Sequence, residues 1–201
     1  MTPEFKKMIK PLAMILTAVF FFIFMATSFL NMTASAYGFS ATESLASGYE
    51  CLDFLDDYIT EGDAAFFYSL AGFILILMLI AAVYFIATGV MELLAMKGKK
   101  LLTDEASAKL DKITELVFAG NAMASILTFI CLLIFGLSNG ESEQGVSVSI
   151  CVGIGAILLM IFSVLLYAAY YLLVKKDILA GQTPAAEETV SEEASETSDN
   201  E

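Results

Sequence analysis

Five acids, Glu43, Glu50, Asp53, Asp57 and Glu61, follow the first apolar run at intervals of seven, three, four and four residues. Wound into a helix, they fall within about 80° of one another. Such a rim would attract cations, hold calcium or receive a basic partner. Calcium needs about six to eight oxygens converging on one point, and acids strung along a single helix do not converge unless another loop closes over them. Glu141 and Glu143 are the nearby acids that could do so. A solvated face is therefore the simpler expectation.

A second constellation lies inside an apolar run. Asn121, Ser125 and Thr128 stand at i, i+4 and i+7 on one helix face, and Ser163 in the last apolar run can match them in depth. They could line a path formed between subunits. Equally, one amide and a few hydroxyls are what a membrane bundle uses to fix helix register. Packing is the expected role, with Ser163 or Tyr84 within reach of Asn121 by depth.

The acids Glu92, Asp104, Asp111 and Glu115 flank the central lysines. Only Asp111 and Glu115 share a helical i, i+4 spacing, which is too little for metal-dependent lipid chemistry. Salt bridges with Lys97, Lys109 and Lys112 are expected instead. The chain has no His, Arg or Trp. This removes imidazole acid–base chemistry and guanidinium forks, so neither an enzyme nor a cofactor site is expected. A net charge of −13 likewise speaks against a nucleic-acid partner.

The elements that position these residues follow from composition. With 201 residues, 58% hydrophobic and 16% charged, the chain is too apolar for a soluble domain. Leu12–Leu30, Ala64–Leu94, Ile113–Leu137 and Val146–Val174 each exceed the roughly 18 residues that cross about 30 Å of hydrocarbon. A segment in lipid must satisfy its own amides and carbonyls, which makes these runs helices. The fold class expected is an all-α integral membrane protein with transmembrane helices at about 11–31, 64–97, 104–137 and 146–175. These form one domain over residues 1–180.

All ten basic residues are lysines, and they sit before the first run, between the second and third, and after the fourth. The positive-inside rule then puts both termini in the cytoplasm. Lysine without arginine suggests an AT-rich bacterial genome and hence a bacterial plasma membrane. Lys6, Lys7, Lys10, the first apolar run and Ala34-Ser35-Ala36 also have the layout of a cleavable signal peptide. The apolar run is longer than the usual signal core of about 7 to 15 residues, which favours a retained helix.

The outer connection reads as an amphipathic helix over about 41–61, lying on the membrane. Ser40-Ala41-Thr42-Glu43 has capping-box spacing, and Leu45, Tyr49, Leu52 and Ile59 share one side. Gly120, Ala124 and Thr128 on helix three, with Ser147, Cys151 and Gly155 on helix four, form small-residue stripes suited to close helix packing. Gly153-Ile154-Gly155 is a weak break in helix four. Cys131 and Cys151 lie at similar depth and are expected as two thiols rather than a bridge. The outer connection lacks the paired cysteines of tetraspanin loops, the chain lacks the tryptophan of the claudin pattern, and no four-helix family is recognised.

Residues 181–201 carry seven acids, no base and Val190 as the one large aliphatic residue. This tail is expected to be disordered, acidic and cytoplasmic. The function expected is a non-enzymatic accessory or scaffold subunit that binds a protein partner through its cytoplasmic hairpin and acidic tail. The alternative is a small oligomeric cation channel or transporter with an acidic outer rim. Expected partners are the lipid bilayer and either another protein or further copies of the chain.

Overall fold

The computed structural model describes residues 3–53, 64–98, 103–143 and 146–175. Four helices carry most of it: α1 (Pro3–Met25), α2 (Ala65–Met96), α3 (Asp104–Ser138) and α4 (Ile154–Tyr170), which passes into a π turn at Tyr171–Lys175. Each contains a stretch long and apolar enough to cross a membrane, as the sequence implies. At 32 and 35 residues, α2 and α3 reach about 48 and 52 Å, so both extend beyond a hydrocarbon slab.

Local chemistry sets the helix ends. Thr103 caps α3 by accepting a hydrogen bond from the Ala106 amide at 3.4 Å. Past α2, Gly98 takes a positive φ of 84°, the left-handed conformation that ends helices. Pro11 lies inside α1 rather than at its start, because the helix already begins at Pro3.

The all-α expectation fails at one end of the bundle. Strands β1 (Ser28–Ala36), β2 (Phe39–Ser47), β3 (Glu141–Glu143) and β4 (Val146–Val152) form an antiparallel sheet in the order β2-β1-β4-β3. The expected amphipathic helix over 41–61 is therefore corrected: residues 41–47 are strand and Glu50–Leu52 is a single 3-10 turn. Its remainder, residues 54–61, lies outside the described residues, as does the tail over 181–201. Helix one stops at Met25 instead of residue 31, and helix four starts at Ile154 instead of residue 146.

The reason is periodicity. Val146-Ser147-Val148-Ser149-Ile150-Cys151-Val152 alternates strictly, which gives a strand one apolar and one polar face, whereas a helix would scatter the serines. The register extends this pattern across the sheet. Ser40, Ser35, Ser147 and Ser142 form one row on the polar face, and Thr42, Thr33 and Ser149 the next. On the other face lie Ala36, Ala34, Met32 and Leu30 beside Val146, Val148, Ile150 and Val152. The helix-proximal end of that face, Leu30, Ile150 and Val152, packs onto the bundle core.

Tyr37 and Gly38 close the β1–β2 hairpin with φ of 50° and 86°. Two positive φ values in a two-residue loop match the twist of the flanking strands.

Aromatic rings fill the bundle. Phe85 and Phe118 have centroids 4.4 Å apart, and Phe118 stacks on Tyr170 at 4.6 Å. Nearer the sheet, Tyr68 meets Phe135 at 5.3 Å and Phe162 meets Phe20 at 4.9 Å. Since lipid gives no hydrophobic drive between helices, this dense van der Waals contact is what holds them together.

Candidate functional site

The five rim acids do not assemble. Glu43 is exposed on β2, and Asp53 is exposed at the end of the 3-10 turn. Glu50 is committed locally: its Oε2 accepts from the Ser47 amide at 2.6 Å, while the Glu50 amide donates to Ser47 Oγ at 3.3 Å. The donation from the Ser47 amide, with help from the Ser47 hydroxyl, holds the Glu50 carboxyl below the usual carboxylate range. Asp57 and Glu61 lie outside the described residues. Among the described residues, no three acid or cysteine side chains converge on a point where an ion would sit.

The intramembrane polar residues are brought inside a single chain. Asn121, Ser125, Thr128 and Ser163 are all buried. Ser125 Oγ donates to its own helix at Ala122 O, 2.8 Å away. Thr128 Oγ1 is buried with no hydrogen-bond partner. The Tyr84 hydroxyl pairs with Thr114 Oγ1 at 2.9 Å rather than with Asn121. Thr88 Oγ1 bonds back to Tyr84 O at 2.7 Å and reaches Met14 Sδ at 3.3 Å, which links α2 to α1.

The small-residue stripes do not close helix three on helix four. Ser147 and Cys151 belong to β4, and a Cβ added at Gly120 would meet nothing within 4 Å. Gly120 and Ala124 instead line an open apolar groove of about 450 Å³ with Ile74 and Leu77 of α2 and Met123, Ile126, Leu127 and Ile130 of α3.

At the end away from the sheet, an ion cluster that the sequence did not single out ties three helices together. Lys10 Nζ of α1 donates to Glu92 Oε1 of α2 at 2.5 Å and to Asp111 Oδ1 of α3. Side-chain exposures of 15%, 24% and 57% respectively place the lysine deepest and Asp111 at the surface. Asp111 is thus engaged by a lysine. Sequence reasoning used Lys10 for sidedness and for the signal-peptide layout, not as a partner of Glu92, although it stands beside the apolar run at the same bundle end.

The three cysteines are free thiols: Cys51 and Cys131 are buried and Cys151 is exposed. Burial pushes the Cys51 thiol up to about 12. Its thiolate is then absent at ordinary pH, and the thiolate is the nucleophile. With maleimide at pH 8, Cys151 is expected to label in the folded protein, and Cys51 and Cys131 only after unfolding. Mass mapping of labelled peptides tests this, and labelling of Cys51 at the rate of Cys151 would contradict the burial.

The hairpin tip and the outer part of β2 are exposed. Tyr37 and Phe39 at the hairpin tip are 85% and 83% exposed. Beside them, Ser40, Ala41, Thr42, Glu43 and Ser44 of β2 are all exposed. Comparison with protein-family models, with curated proteins and with solved structures finds no match to this chain.

Proposed function

We propose that this chain is a non-enzymatic, multi-pass protein of the bacterial plasma membrane with both termini cytoplasmic. It acts as an accessory or scaffold subunit whose work is to bind a protein partner. The observation that carries this reading is where the polar chemistry goes. Asn121, Ser125, Thr128 and Ser163 are buried within one copy, so they are not available to line a path between copies.

The surfaces left over suit recognition. With the lysine-rich end inside, the sheet faces outward and presents Tyr37 and Phe39 to water, an arrangement typical of residues that a partner covers. The α2–α3 hairpin and the acidic tail offer further contacts in the cytoplasm.

Two measurements test this together. In liposomes, the purified chain is expected to give no cation flux above empty vesicles; flux would overturn the reading in favour of a channel. In cells, crosslinking of the tagged chain is expected to yield a protein complex of fixed stoichiometry. A parallel variant ending at Gly181 shows whether the tail is the docking element. Only monomer in both samples would also overturn the reading.

A further inference from the structure

We infer that the outer part of the apolar sheet face is the docking surface for a basic amphipathic helix of a different protein. The inference rests on the partner-binding reading above and names the surface and the chemistry of the partner.

An antiparallel sheet commonly leaves its polar face to water and closes its apolar face with a packed layer. Here only one end of the apolar face is closed. Leu30 is buried, and Ile150 and Val152 pack on the bundle core, but the strands continue outward from them to the hairpin. Along that outer part Ala34, Phe39, Ala41 and Val146 are exposed, and Ala36 and Val148 are half-buried. The register sets these side by side: Ala34 lies between Ala41 and Val148, and Ala36 between Phe39 and Val146. Water satisfies the hydroxyls of the opposite face but not these side chains.

Charge selects what covers them. Glu43 of β2 stands opposite Met32 on this face and is exposed. Across the sheet, Glu141 and Glu143 of β3 hold the register positions opposite Val148 and Val146. The apolar rows are thus flanked by acids on both edge strands, and the outer connections over 31–63 and 138–145 contain nine acids and no base. A second copy seated face to face would bring the same acids, and an anionic membrane surface would repel them. The complementary partner carries lysine or arginine on both sides of an apolar stripe.

Dimensions select a helix as the element that brings them. Strands β2 and β3 are the two edges of the sheet, three spacings apart. At about 4.8 Å per spacing they are separated by about 14 Å, which admits one helix of about 10–12 Å diameter between the flanking acids. A second sheet would lie over the acids themselves. From Met32 to Ala36 the face runs about 14 Å, the length of about nine helical residues. A basic amphipathic helix has this form, with an apolar stripe toward the sheet and long cationic side chains reaching out from its borders.

The test uses the full chain in nonionic detergent and a fluorescent peptide of about 14 residues, with leucines in one helical stripe and lysines along both borders. Fluorescence anisotropy, with empty micelles as the blank, is expected to show saturable one-to-one binding to the wild type. The same peptide with glutamate in place of lysine is expected not to bind. Ala41→Lys sets a cation on the apolar face and is expected to weaken binding about tenfold or more. Thr42→Lys makes the same change of charge one residue on, but on the hydroxyl face, and is expected to stay within about twofold of the wild type. Glu43→Gln is expected to weaken binding about threefold. Ala41, Thr42 and Glu43 are all exposed, and unchanged melting points would show that the fold is intact.

Equal weakening by Ala41→Lys and Thr42→Lys would reduce the attraction to overall charge and overturn the proposal. So would a lysine peptide that does not bind, or a glutamate peptide that binds as tightly. If a protein is still captured in fixed ratio in cells, the partner-binding reading stands and this face alone has failed as its surface. Cation flux in liposomes would sink the underlying reading whatever the sheet binds.

Discussion

Replacing Gly153 or Gly155 with alanine is expected to destabilise the protein by about 3 kcal/mol or more, the upper end of overpacking effects. Both glycines sit where two chain corners cross: the α1-to-β1 corner and the β4-to-α4 corner. The Gly153 amide donates to Phe29 O at 2.7 Å, which fixes the two backbones against each other. A Cβ at Gly153 would press on the Ser28 carbonyl, with its carbon at 2.7 Å and Ser28 Oγ at 2.8 Å. At Gly155 it would press on Thr27 Oγ1 and lie 2.9 Å from both Phe29 Cδ1 and Ser28 O. These are mainly backbone and ring atoms, which cannot swing aside as the end of a flexible side chain can.

Gly120→Ala supplies the contrast. Its added methyl enters the open groove, and alanine is the better helix former by about 1 kcal/mol, so its melting point is expected to hold or rise. Thermal unfolding in detergent separates these outcomes. If Gly153→Ala melts together with Gly120→Ala, the crossing is not tightly packed and the account of how the sheet is seated on the bundle is wrong.

The same corner shows where sequence reasoning ran out. Run length and hydropathy reveal four membrane-length helices, because an apolar stretch in lipid has few other ways to satisfy its backbone. They mislead where a strand abuts a helix. Val146–Val152 and Ile154–Tyr170 are both apolar, so together they read as one span, and Gly153 as a weak break inside it. The alternation of valines with serines was the available signal, and it is local to seven residues. Strand β1 had less to show, since its pairing with β4 joins residues more than a hundred apart.

Capping chemistry misled in a similar way. Ser40 and Glu43 have the spacing of a helix start, yet both lie in β2. The reciprocal bonds form one motif later, between Ser47 and Glu50, which share that spacing. Local propensity could not choose between the two, because pairing with β1 decides it.

The second large effect concerns Lys10. Lys10→Met keeps the stem but removes the charge, and leaves Glu92, with 24% of its side chain exposed, facing no lysine at that position. Removing one partner of a partly buried ion pair is expected to cost about 2–3 kcal/mol, chiefly as the desolvation of the carboxylate left behind. Glu92→Met alone is expected to cost less, since Lys10 keeps Asp111. In Lys10→Met with Glu92→Met, no buried charge is stranded, and Asp111, 57% exposed, regains water.

The double variant is therefore expected to be more stable than Lys10→Met alone. A thermal double-mutant cycle in detergent reads that coupling directly. Additive losses would mean that the lysine acts on each helix independently. Recovery in the double variant would mean that the ions hold α1, α2 and α3 in register more than they stabilise the fold, since an apolar pair can then replace them at that depth.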